Sequence, residues 1–167
     1  TLGMNLDVYA LRTSRNINNS ADDVFRKITI RSGGIIAAVN TDVLNPDLYF
    51  GPSVNSVDGS NAGEALIWAN TGALSVNGKL YASQVTKSGT NALNILADQP
   101  QFTGNWVING GVVQFQTPGA QSTGEVILNA AHMADNDSVF NLTEVRYNFN
   151  SGTPDLFTWG GGKITVN

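Results

Sequence analysis

Cysteine is absent from the 167 residues, and with it go disulfides, thiolate metal sites and cysteine nucleophiles. Charge is scarce: Asp, Glu, Lys and Arg together make up 13%, about half the ~25% usual for a soluble domain. A net charge of −4 leaves little to neutralise a row of phosphates, which argues against nucleic acid as a partner and against charge-driven docking on an anionic bilayer. No run of about 18 apolar residues occurs, so no membrane insertion of a helix is expected. The opening Thr1-Leu2-Gly3-Met4-Asn5-Leu6-Asp7 has no basic start followed by an apolar stretch, so the chain reads as mature or internal material. Helical signal is equally thin. Ala130-Ala131-His132-Met133-Ala134 is the best candidate, and it is too short to matter.

What the chain has instead is turn chemistry and short alternation. It carries 18 glycines and twenty asparagines, residues that tolerate the positive φ of tight corners. Runs of period two recur: Lys27-Ile28-Thr29-Ile30, Ala73-Leu74-Ser75-Val76, Ala92-Leu93-Asn94-Ile95, Val112-Val113-Gln114-Phe115, Glu125-Val126-Ile127-Leu128 and Lys163-Ile164-Thr165-Val166. Each is bounded by small polar residues, the pattern of strands with one face in a core and one in water. The stretch from Asn40 to Ser60, with Pro46 and Pro52, is the least patterned and reads as a loop excursion near 40–60. No break in composition marks a second domain, so residues 1–167 form one all-β unit.

Two architectures fit that cadence. Asn-Gly steps between alternating runs suit antiparallel hairpins and a β-sandwich. Strand–turn–strand units also describe a parallel β-helix, in which each short strand lies on the one before. Ile28-Thr29-Ile30-Arg31-Ser32-Gly33-Gly34-Ile35-Ile36 and Val107-Ile108-Asn109-Gly110-Gly111-Val112-Val113 read as two versions of one unit. A recurring unit favours the β-helix.

The order of phrases resembles the autotransporter-associated β-strand repeat, or passenger-associated transport repeat, of bacterial surface proteins. Ile28–Ile36 is similar to its strand, Ser-Gly-Gly, strand element, and Gly63–Asn70 to the acidic-apolar strand that follows. Val85-Thr86-Lys87-Ser88-Gly89-Thr90-Asn91-Ala92-Leu93-Asn94-Ile95 and Phe102–Phe115 carry the clearest repeat, over 85–115. Asn91 stands for a usual Gly, Trp106 for Thr and Phe102 for Tyr, and residues 1–25 and 129–167 match loosely. The resemblance implies a right-handed parallel β-helix (β-solenoid), extracellular or on the bacterial cell surface, as a segment of a longer chain.

Candidate chemistry is sparse. His132, the one histidine, has no Cys or second His to share a metal, and no Gly-x-Ser-x-Gly surrounds a nucleophile. Asp135-Asn136-Asp137 and Asp22-Asp23 read as polar turns rather than calcium loops. Asp7, Asp47, Asp58, Glu64, Asp98, Glu125, Glu144 and Asp155 are scattered along the chain, where glycoside hydrolysis needs two acids brought together. Gly160-Gly161-Gly162 lacks the Lys-Ser/Thr of a phosphate loop. Trp68, Trp106, Trp159, Tyr49, Phe50, Tyr81, Tyr147 and Phe157 are core or ladder residues before they are a sugar-stacking surface. Of these, the segments Tyr147-Asn148-Phe149 and Leu156-Phe157-Thr158-Trp159 are the ones expected at the surface.

The expectation is therefore a structural adhesin or stalk segment with no catalytic, cofactor or metal site. Its partners would be further repeats of the same chain or other copies of it, with surface glycans or other cells as targets. A building block of an extracellular filament or sheath, joined through coil ends, is the alternative, since 1–12 and 150–167 show no charged or helical cap. A carbohydrate-binding or cleaving module is the third reading.

Overall fold

The computed structural model describes residues 3–19, 26–38, 42–120 and 123–129, with the strands Glu144–Tyr147 and Ile164–Val166. The described residues form strands and a single 3-10 turn at Pro118–Ala120. Sheet I holds β1 (Leu6–Val8), β3 (Lys27–Ile30), β6 (Asp47–Phe50) and β9 (Leu80–Tyr81). Sheet II holds β2 (Leu11–Thr13), β4 (Gly34–Ala37), β7 (Glu64–Ala69), β10 (Gln84–Ser88), β12 (Asn105–Ile108), β14 (Val126–Leu128) and β16 (Ile164–Val166). Sheet III holds β5 (Asp42–Leu44), β8 (Leu74–Val76), β11 (Ala92–Ile95), β13 (Val112–Phe115) and β15 (Glu144–Tyr147). Every strand pair is parallel. The chain is a β-solenoid of three sheets, and the antiparallel sandwich is excluded.

The core is built from rungs. Inside sheet II, Leu11, Ile35, Ile67, Lys87, Ile108 and Leu128 stand in one register column, and Ala65, Val85, Trp106 and Val126 in another. Sheet III contributes Leu44, Val76, Ile95 and Phe115, and sheet I contributes Leu6, Ile28, Leu48 and Leu80. Burying each large side chain contributes roughly 1.5–3 kcal/mol, but only because the winding above and below covers it. Trp106 is fully buried and meets Phe102 and Phe115 edge-on, with centroids 5.2 and 5.0 Å away.

Corners are closed by glycine and asparagine. Gly89 has φ +87°, and a Cβ on Gly104 would overlap the Ser83 carbonyl of the winding beneath. Asn45 Nδ2 donates to Asn18 Oδ1 at 2.7 Å and Asn77 Nδ2 donates to Asn45 Oδ1 at 3.0 Å, an amide ladder along the III–I corner.

Two expectations change in detail. The excursion near 40–60 contains strands β5 and β6, and the inserted loop is Gly51–Gly63. Pro46 stands between those strands, where no ladder N–H is required. Leu48, Tyr49 and Phe50 are all buried, so β6 shows no alternation to read. The phrases 28–36 and 107–113 are alike locally but do not stack. The first turns from sheet I to II, the second from II to III, and each uses a positive-φ glycine, Gly33 or Gly111. The phrases 85–95 and 105–115 do stack, Val85 on Trp106 and Ile95 on Phe115.

Candidate functional site

The three outer faces differ in what covers them. Tyr49 and Tyr81 point out of sheet I, yet only 6% and 5% of their surface is exposed. Their rings stack at 4.2 Å and 9°, and Lys27 Nζ lies 5.2 Å from the Tyr49 centroid. The loop Gly51–Gly63 approaches this face: Gly59 is beside the Tyr81 ring. The loop closes on itself, Gly59 N–H donating to Asn55 O and Asn55 N–H to Ser60 O, both at 2.9 Å. Asp58 Oδ1 accepts the Ser60 N–H, and that bond lowers the Asp58 pKa. Burial raises the Tyr49 pKa, helped by the Tyr81 hydroxyl. Outside sheet III, Ser75, Asn94 and Gln114 stand in one register column with Val43, and Asn94 Nδ2 donates to Ser75 Oγ at 3.2 Å.

Sheet II presents an uncovered face. Trp68, Leu66 and Ile36 are 49%, 46% and 46% exposed. They are neighbours by register, Trp68 lying between Ile36 and Ser88, and Leu66 between Gly34 and Thr86. The strict alternation of β7 places Ala65, Ile67 and Ala69 inside and therefore Glu64, Leu66 and Trp68 outside. Leu66, Ile67, Trp68, Thr86 and Ser88 line a shallow trough of about 100 Å³. One border of it is a fixed polar cluster: Glu64 Oε1 accepts Gln84 Nε2 at 3.0 Å and the Thr86 hydroxyl.

Of the five buried polar residues among those described, Thr13, Asp42, Ser75, Lys87 and Gln99, three bear on the site question. Lys87 occupies an interior rung, where its ammonium donates to Gly89 O at 2.5 Å and Gly110 O at 2.6 Å. Desolvation lowers its pKa to about 8. Gln99 Oε1 accepts the Leu80 N–H at 2.7 Å and its Nε2 donates to Gly78 O and Ala97 O, both at 3.1 Å. The carboxamide thus satisfies the edge of β9 where another strand of sheet I would pair. Asp42 Oδ2 is buried without a hydrogen-bond partner, and desolvation raises that carboxyl's pKa.

The fold brings two of the scattered acids to one cleft of about 350 Å³, where Asp47 and Asp98 stand with Asn77, Gly78, Lys79 and Ala97. Both are engaged structurally, Asp47 Oδ1 by the Lys79 N–H at 2.8 Å and Asp98 Oδ1 by the Thr117 hydroxyl at 2.5 Å. Asp7 pairs with Arg31 at 2.7 Å across two windings, which lowers the carboxyl pKa and raises that of the guanidinium. Among the described residues no three His, Cys, Asp or Glu side chains gather closely enough to hold a metal.

Of the sequence candidates, Phe50 and Trp106 are core, Tyr49 and Tyr81 form a covered ladder, and Trp68 alone of the described aromatics singled out lies open on a sheet. His132, Asp135, Asp137, Asp22, Asp23, Asp155, Phe157, Trp159, Gly160–Gly162 and the expected surface segment 156–159 lie outside the described residues, as do the side chains of Glu144 and Tyr147. Sequence reasoning overlooked Lys87 and Gln99. The parity of Val85 and Lys87 in β10 was a usable signal for the first, and nothing marked the second. Among the described residues no helix is long and apolar enough to cross a membrane. Comparison with protein-family models, curated proteins and solved structures returned no match.

Proposed function

We propose that this chain is a structural segment of a large secreted or surface-displayed bacterial protein, an adhesin or stalk that spans distance and presents loops. The observation that carries the reading is the unbroken parallel ladder of sheet II, which advances along the solenoid through seven strands. Its interior is spent on rungs and its buried polar groups on corners and edges. The likeness of residues 85–115 to the passenger repeat supports the same reading, because those residues form two windings stacked in register. The partners are then further windings of the same chain or other copies. Labelling intact source cells with an antibody to this chain, before and after added protease, tests it. Surface signal that protease removes is expected, and signal confined to lysed cells overturns the proposal.

Assembly through coil ends is the second reading, since the strand pairs are parallel and a winding of another copy could add to the ladder in the same register. Filaments of solenoid width in electron micrographs of the purified chain support this second reading, and monodisperse monomers sink it.

A further inference from the structure

We propose that the outer face of sheet II, centred on Trp68, is a binding site for a neutral, flat oligosaccharide. This goes beyond a spacer role and does not depend on it.

The covering of the three faces selects the place. Sheet I lies under the chain's own loop, and sheet III carries the Ser75, Asn94 and Gln114 column outside and has no large apolar side chain exposed among its described residues. Sheet II alone leaves an indole and two aliphatic side chains about half exposed on a flat, rigid surface. Trp68 is not needed to fill the core, since Ala65, Ile67 and Ala69 of the same strand do that.

Area selects the class of occupant. Four strands about 4.8 Å apart, β4, β7, β10 and β12, each four to six residues long, offer on the order of 300 Å², less than half of the ~800 Å² each partner contributes to a stable protein complex. A second copy or a folded protein would be held weakly there. A saccharide of a few rings needs no more than this footprint. The C–H face of a pyranose ring stacks on an indole by the contacts that pair aromatic rings, and the trough of Leu66, Trp68, Thr86 and Ser88 lies open to it.

The polar border supplies orientation. Glu64, Gln84 and Thr86 are already locked to one another, so their remaining lone pairs and protons meet sugar hydroxyls without a cost of ordering. Glu64 at this border and Arg12, which stands beside Ile36 on the same face, leave the surface with charges of both signs and no net attraction for an anionic sugar, which suits a neutral one. Rungs about 4.8 Å apart along the solenoid repeat at close to the length of one sugar unit, so an extended chain of equatorially linked rings runs across the strands from Ile36 over Trp68 to Ser88 and Asn109.

The test is titration calorimetry of the whole chain with cellohexaose and chitohexaose, with polygalacturonate as the anionic control. At least one neutral hexasaccharide binds, and polygalacturonate does not. Trp68→Ala weakens binding by about tenfold or more, while Trp68→Tyr, which keeps a ring, retains most of it. Both variants keep the parent's thermal midpoint, because the indole lies outside the core. Binding of neither neutral hexasaccharide at millimolar concentration overturns the proposal, as does unchanged binding in Trp68→Ala. Self-association in sedimentation that Trp68→Ala abolishes also overturns it, by assigning the face to a second copy.

Discussion

Sheets I and II are made of the same parts and end differently. Both place apolar residues inside and an aromatic outside: Tyr49 and Tyr81 on sheet I, Trp68 on sheet II. On sheet I the aromatics are covered by the Gly51–Gly63 loop, and the sheet ends at β9, where Gln99 takes the place of a strand. On sheet II the aromatic stays open and the ladder continues through β10, β12, β14 and β16. An outward aromatic in a solenoid is therefore structural or available according to what the chain does one corner away, not according to its own strand.

The sharpest way to press that difference is to remove an inner and an outer tryptophan of sheet II. Trp106→Ala opens a cavity between Phe102 and Phe115 and is expected to cost about 3–5 kcal/mol in urea unfolding, whereas Trp68→Ala should fall within about 0.5 kcal/mol of the parent. A comparable loss in both would mean that the outer face is packed after all. Gln99→Ala turns the closed edge of sheet I into an open one. It leaves the Leu80 N–H and the Gly78 carbonyl unpaired, at about 1–3 kcal/mol each, and hydrogen exchange at Leu80 should accelerate more than at any amide of β10. Replacing the loop by a short glycine turn would make sheet I resemble sheet II. Tyr49 and Tyr81 then become accessible to nitration and stability falls by about 1–3 kcal/mol, with the β-sheet signal in circular dichroism unchanged.

The smallest effect concerns the interior of sheet II. Lys87 has a folded pKa near 8, below its ordinary value of 10.5. The unfolded chain therefore binds the proton more tightly, so stability is lowest below pH 8 and rises as pH climbs from 8 towards 10.5. The difference in thermal midpoint between the parent and Lys87→Met should change across that interval and stay flat below it. A constant difference through alkaline pH would show that the ammonium is solvated rather than held at the corner.

How much could be read from the chain alone follows from which residues alternate. All six period-two runs contain strands, because in them one parity is apolar throughout and the other carries the polar residues. β6 and β9 were illegible because Tyr49 and Tyr81 are buried on the outward parity, a fact set by the loop that follows β6 and not by the strands themselves. Parallel stacking could not be had from periodicity. It rested on recurring phrases, of which 28–36 and 107–113 do not stack, while 63–70, 85–95 and 105–115 lie one above another. Trp68 stood among eight aromatics with nothing local to single it out, since Leu66 and Ile67 make β7 apolar on both faces. Gln99 acts through its side-chain amide on backbone twenty residues away, which no strand pattern records.

The insertion at Gly51–Gly63 has a wider consequence. Leu48 still meets Leu80 and Leu44 still meets Val76, both 32 residues on, while Val85 meets Trp106 after 21. The fold counts turns of the coil, not residues along the chain. Material can thus be spliced into that corner, lengthened or exchanged, and the strands beneath still pair in the same register.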